Sequence, residues 1–346
     1  MYTLRDMDVE VIIVHGPAGC GFMVSRRLED AGVRVVTTGM RENDLIFGAE
    51  DKLVRTLVRV QEEMHPSLVG VVGTCASMII GENLDRAVQK AGLNARVIPV
   101  DVHGCSGPNT TGAVRALEVA SQMGVIPQEE FFRQREMLNQ ATLLETNRGL
   151  TSKDLLSPNY GITKYAAAKR IADVLKDGGT VLVALNGKKE LAYGHADILR
   201  AVQDCSVKVG GKVRFIANLD RDVGLPRIRR YASDIVRDLE LSGVQIEHIT
   251  GGLDEYPLAG IRAAEHISNM PHDLLVACGI VHAIPRLDHG AVLVSDQPRE
   301  VDNYLKEGFR DVVSEPDIHA RVMSARNVLR TELGDTLREI AREASP

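Results

Sequence analysis

The chain has 346 residues, 44% of them apolar, a net charge of −6, only 4% aromatic residues and no Trp. That length allows two or three buried cores and excludes a small stapled scaffold, and sparse aromatics without a basic bias argue against a nucleic-acid binder. No apolar run reaches the roughly 18 residues of a membrane span, the start Met1-Tyr-Thr-Leu-Arg-Asp-Met-Asp8 is charged rather than signal-like, and five scattered cysteines fit reduced thiols. The expectation is a cytoplasmic protein with neither membrane nor nucleic acid as a partner.

The first apolar run, Val11-Ile-Ile-Val-His15, reads as a strand buried on both faces. Gly16, Pro17, Gly19 and Gly21 then force a tight turn that sets Cys20 at the carboxyl end of that strand, ahead of a helix over 23–31. The turn is not G-x-G-x-x-G, and no Lys-Ser/Thr pair follows it, so nucleotide binding here is disfavoured. Taken alone, Cys20 reads more readily as a buried inert thiol than as a ligand. A second strand is expected at 33–38 and a helix at 48–64 with apolar residues Leu53, Leu57, Val58 and Val60. Between them, Glu42, Asp44 and Glu50 read most simply as solvated helix-start acids.

The third strand, 68–72, ends at Gly73-Thr-Cys75, with a helix over 83–91. The fourth, 95–100, ends at Asp101-Val-His103-Gly-Cys105, with a helix over 112–123. This alternation predicts an α/β fold, a doubly wound parallel sheet with its functional edge at the strand carboxyl ends. Cys20, Cys75 and Cys105 then share one rim, which points to a metal site even though none has the C-x-x-C spacing.

Residues 126–162 change character, with a polar helix from Gln128 to Gln140, then Thr151-Ser-Lys-Asp154 and Ser157-Pro158. They read as a helical bridge or dimer contact, or equally as a solvated surface helix. Strands at 180–185, 212–217, 244–249, 273–278 and 290–294 follow, with helices at 196–203, 227–241, 257–269 and 299–307 and a long one over 318–343. The architecture expected is two Rossmann-like domains, 1–125 and 163–346. Cys205 and Cys278 read as structural. His282 and His289, in the loop after Cys278, either face an interdomain cleft or cap the surface.

Three stretches together resemble the nitrogenase component 1 family, including its dark-operative protochlorophyllide reductase relatives. They are His15-Gly-Pro-Ala-Gly-Cys20-Gly21, then Glu42-x-Asp44-x-x-Phe47-Gly48-x-Glu50-x-Lys52-Leu53, then Gly73-Thr-Cys75 with Ile80-Gly-Glu-Asn83. The resemblance covers the first half well and the second half only by its α/β pattern. It implies that Cys20 and Cys75 are thiolate ligands of a bridging iron–sulfur cluster. Only ten residues precede the first strand, so a counterpart of the upstream cluster cysteine of larger members is not expected. The late cysteine and histidine that anchor the nitrogenase cofactor have no counterpart either, which argues against dinitrogen reduction. Compact length and the stretch Val100-Asp-Val-His-Gly-Cys-Ser-Gly-Pro-Asn-Thr-Thr111 are similar to the short homomeric branch, the nickel-tetrapyrrole reductive cyclases.

That branch implies a catalytic subunit that reduces a nickel tetrapyrrole and closes a lactam ring on the way to the methanogenic coenzyme factor F-430. Its partner would be a nitrogenase-iron-protein-like reductase that itself hydrolyses the ATP. A 4Fe-4S cubane commonly takes four thiolates and one chain offers two, so a cluster on a two-fold axis implies a homodimer. Cys105 would bring the count to six and is left as a neighbour of the cluster or the substrate. His103, His15 and Asp101 are the candidate proton donors at the rim, with a turn hydrogen bond as the other reading of His103. Arg227, Arg229 and Arg230 are the candidate partners of the substrate carboxylates, or else a solvated basic helix start. Rival readings are a scaffold for metallocluster assembly, another tetrapyrrole reductase of the family, and a nucleotide-dependent Rossmann enzyme.

Overall fold

A computed structural model describes residues 1–102, 109–148 and 158–344. It is an α/β chain that divides into two compact units, Met1–Asn139 with Leu225–Arg227, and Gln140–Gly224 with Ile228–Pro346. The polar helix, Gln128–Arg148, is longer than the sequence pattern suggests and runs through the division. None of the described helices is long and apolar enough to cross a membrane.

The first unit holds four parallel strands, β1 Val11–His15, β2 Arg34–Thr37, β3 Leu68–Gly73 and β4 Arg96–Val100, in the order β2-β1-β3-β4. The central strands β1 and β3 are buried along their whole length, as their runs of β-branched residues require. One face packs Val11, Ile13, Val69 and Val71 against Leu53, Leu57 and Val60 of the Glu50–Met64 helix and Leu84 and Ala87 of the Leu84–Ala91 helix. Each of these valine, leucine and isoleucine side chains contributes roughly 1.5–3 kcal/mol on burial. Gly70 leaves room for Leu4, whose Cδ1 would lie 2.7 Å from a Cβ there. The chain places β2 on one side of β1 and then crosses to put β3 on the other, so the topological switch point lies between β1 and β3.

The second unit holds six parallel strands: β5 Thr180–Asn186, β6 Lys212–Ala217, β7 His248–Ile249, β8 Leu274–Gly279, β9 Val292–Ser295 and β10 Asp311–Ser314. Their order is β10-β9-β8-β5-β6-β7. Here the switch point lies between β5 and β8. Leu182, Ala184, Leu275, Ala277 and Leu293 of the sheet pack with Ala263, Val301 and Tyr304 of its helices.

Several expectations are corrected. The strand expected over 244–249 pairs with β6 only at His248 and Ile249, and β10 and the Lys164–Lys176 helix lie outside the sequence expectation. The single helix expected over 318–343 is three pieces, Ile318–Arg321, a 3-10 turn Val322–Ser324 and Glu332–Glu343. Ala325 is extended, and Thr331 starts a new helix by accepting from Gly334 N. That last helix is anchored by Arg338, whose Nη2 donates to buried Asp197 Oδ1 at 2.6 Å.

Candidate functional site

At the end of β1, His15 stands in register with Gly73 of β3, so the loops that carry Cys20 and Cys75 leave from neighbouring rungs of the switch point. These loops are in contact. Gly16 lies so close to Thr74 that a Cβ on it would sit 2.3 Å from Thr74 Oγ1, and that hydroxyl donates to the His15 carbonyl at 3.0 Å. Thr74 N donates to Ser77 Oγ at 2.8 Å, which opens the short helix Cys75–Ile79 with Cys75 at its first position. On the other loop, Cys20 N donates to the Pro17 carbonyl and Gly21, at φ +70, turns the chain into the Phe22–Asp30 helix. Both cysteines are half-buried and neither forms a disulfide.

Behind the turn, fully buried His15 ties three segments together. Its Nδ1 lies 3.2 Å from Thr38 Oγ1 at the end of β2, and its Nε2 3.5 Å from Glu82 Oε2. Burial holds its pKa below the usual histidine range, with Glu82 pulling the other way. Glu82 also accepts from Ala49 N at 2.6 Å and so fixes the start of the Glu50–Met64 helix. Lys52 Nζ donates to Asp44 Oδ2 at 2.7 Å and to the Gly39 carbonyl at 2.8 Å, and Arg41 N donates to the same carboxylate. Asp44 and Glu82 are therefore struts that hold the turn, a role the sequence pattern did not disclose. Glu82 could have been found from its place in the Ile80-Gly-Glu-Asn83 stretch.

The other expected site residues fall out as follows. Asp101 follows β4 and is exposed, with Oδ1 3.0 Å from the position of a Cβ on Gly73. Partial burial, with Asp85 adding, holds its pKa above the usual carboxylate value against the pull of Arg115. His103 and Cys105 lie outside the described residues, as do Thr151 to Asp154 and Ser157. Arg227 is engaged, since it donates to the Ala31 carbonyl at 2.9 Å and its Nε lies 3.5 Å from Asp8. Arg229 and Arg230 are exposed near the start of the Pro226–Leu241 helix. Cys205 and Cys278 are fully buried; burial pushes the Cys205 thiol up to about 11 and the Cys278 thiol higher still.

Two thiols at one switch point are a soft donor pair suited to iron or zinc. Among the described residues no group of three or more His, Cys, Asp or Glu gathers in a metal-binding arrangement, so the described part of one chain does not close the coordination sphere. The segments around the pair carry exposed apolar side chains: Phe22 and Met23 after Cys20, Ile46 and Phe47 beside the Glu82-anchored segment, and Ile79 after Cys75. Phe47 is 84% exposed and Ile79 77%.

The family model described as Nitrogenase component 1 type Oxidoreductase matches residues 1–130. Over almost its whole length the chain is similar to a Methanothermobacter thermautotrophicus protein, the Ni-sirohydrochlorin a,c-diamide reductive cyclase complex, component CfbD. The two are 48% identical across 98% of this chain and 95% of that protein. Proteins of the same name are 43% identical in Methanosarcina acetivorans, across 99% of this chain and 95% of that one, and 40% identical in Methanocaldococcus jannaschii, across 97% and 95%.

Proposed function

Because this chain belongs to the family of the Ni-sirohydrochlorin a,c-diamide reductive cyclase component CfbD, within the nitrogenase component 1-type oxidoreductases, we infer that it is the catalytic component of such a cyclase. It reduces Ni-sirohydrochlorin a,c-diamide and closes its lactam ring, with electrons from an iron–sulfur reductase that resembles the nitrogenase iron protein and spends the ATP. The observation that carries the reading furthest is the pair Cys20 and Cys75 on touching loops at the switch point, with no third ligand among the described residues and apolar side chains exposed around it.

In this reading Cys20 and Cys75 hold half of a 4Fe-4S cubane, and the same two residues of a second copy hold the other half, which makes the protein a homodimer. When bound, the cubane supplies one-electron transfer between the reductase and the macrocycle. The chain's own contribution is position and charge. Gly16, Thr74 and Gly21 set the two cysteine loops; His15 and Glu82, sealed behind them, keep the loops in register; Phe47 and Ile79 keep water from the join between copies. Asp101 is exposed beside Gly73 with a raised pKa, which suits it to give a proton to the reduced substrate, whereas His15 is shut away from solvent. Arg229 and Arg230 are exposed cations for the substrate's carboxylates.

The test is incubation without oxygen with the partner reductase, ATP and Ni-sirohydrochlorin a,c-diamide. Product in many-fold excess over protein is expected. Product that stops at one equivalent per dimer would replace this reading by a scaffold that assembles and hands on a cofactor.

A further inference from the structure

The second unit carries a buried acid–base cluster at its own switch point. His282 sits on the one-turn segment Val281–Ala283 just beyond β8, between two carboxylates: its Nδ1 is 3.3 Å from Glu300 Oε1 and its Nε2 3.7 Å from Glu145 Oε1. Glu145 also accepts from Tyr256 Oη at 3.0 Å and lies 3.9 Å from Lys188 Nζ, two residues past the end of β5. Glu300 accepts from Ser295 Oγ at 3.0 Å and Tyr304 Oη at 3.3 Å. Other charges at this edge are Asp296, paired with His319, and buried His195, whose Nε2 is 4.0 Å from Asp296 Oδ1.

Two features set this cluster apart from a packing ion pair. A buried triad of charges is an expensive way to fill a core, since apolar residues of the same volume serve as well or better. Side-chain exposure also falls stepwise along it, from 37% at Lys188 through 23% at Glu145 to 6% at His282 and Glu300, so one line of ion pairs leads from solvent to an enclosed imidazole. Lys189, the next residue of the same loop, holds a left-handed φ of +48 without being glycine, a strain that concentrates at functional loops.

We propose that this cluster is a proton store for the reduction: the imidazolium of His282 gives its Nε2 proton to Glu145, Glu145 passes one to the reduced macrocycle at the carboxyl edge of the second sheet, and solvent refills the store through Lys188 and Tyr256. Each double bond reduced takes two electrons, both from the reductase, and two protons. The store delivers one proton per filling and is left as neutral imidazole until it is refilled. The two carboxylates outweigh burial and hold His282 up at about 9, while its pairing with Glu145 keeps that carboxyl low, so the store is full at neutral pH. This inference rests on the reductive reading above and adds to Asp101 a second source of protons.

The experiment is steady-state turnover of the full complex with the reductase, ATP and Ni-sirohydrochlorin a,c-diamide between pH 6 and 10. It uses the wild type, Glu300→Gln, and His282→Ala with and without added imidazole. A cavity of about 200 Å³ beside His282, lined also by Arg286, His289, Tyr304 and Phe309, gives imidazole a way in. Expected for His282→Ala are a kcat lower by about 100-fold, a KM within about twofold, unchanged iron content and recovery of at least about tenfold with imidazole. The wild-type rate should fall as pH rises through about 9, and Glu300→Gln should bring that fall to lower pH. A His282→Ala protein with the wild-type rate and pH profile overturns the proposal, as does a loss of rate that imidazole does not restore. If the wild type itself does not turn over, the reductive reading fails. Nitrogen NMR of the histidine rings then decides: titration of His282 near 9, lowered in Glu300→Gln, supports the store, and titration below 7 overturns it.

Discussion

Gly16 shows how one missing side chain joins two loops. With Thr74 Oγ1 2.3 Å from the place of a Cβ, Gly16→Ala should cost about 1–3 kcal/mol, read as a lower midpoint in thermal denaturation, because Thr74 is held by its bond to His15 and cannot retreat. The thiols divide as sharply. Iodoacetamide applied to the metal-free protein should modify Cys20 and Cys75 and spare Cys205 and Cys278, whose thiolates burial suppresses; peptide mass spectrometry reads the difference. His282 adds a pH signature. Its folded pKa of about 9 stands above the unfolded value near 6.5, so its contribution is complete below about pH 6.5 and is lost as pH rises through 9. The stability difference between the wild type and His282→Gln should therefore be on the order of 3 kcal/mol at pH 6 and shrink toward zero by pH 10 in denaturant titrations. Cys20 and Cys75 could be placed from sequence because each follows, through a turn that begins with glycine, a strand rich in β-branched residues. The partners of His282 could not, since Glu145, Lys188 and Glu300 reach it from segments far apart in the chain.

At the scale of elements, strands that are buried on both faces announce themselves, and elements held by tertiary bonds do not. β1, β3, β5 and β8 were legible as apolar runs. β7 has only two paired residues at the sheet edge, and most of its expected length carries no ladder. The helices Glu42–Phe47 and Cys75–Ile79 are too short to show a period, and the first depends on Asp44 accepting from Arg41 N and Lys52. The sequence pattern suggests one long C-terminal helix because apolar spacing continues across residues 325–331, where Thr331 and Asp197 dictate a fresh start. The same logic yields a test. Glu82→Ala removes the acceptor of Ala49 N and the partner of His15, which should cost about 1–3 kcal/mol and loosen the Glu50–Met64 helix in hydrogen exchange, while Glu82→Gln should recover most of the loss.

For the whole molecule, each sheet has a switch point occupied by chemistry. The first carries a pair of cysteines and the second a cluster of acids and bases, and in the account proposed above the parallel α/β plan would supply electron and proton functions from equivalent edges of two units. The apolar side chains around the cysteines should be the contact between two copies. Phe47→Asp combined with Ile79→Asp should turn a dimer into a monomer in light scattering and reduce bound iron with it. The central claim, that Cys20 and Cys75 from two copies share one cubane, is tested most directly by iron and sulfide analysis with EPR of protein purified without oxygen, alongside Cys20→Ala and Cys75→Ala. The account predicts about two irons per chain in the wild type and almost none in either variant; iron retained in both variants would contradict it.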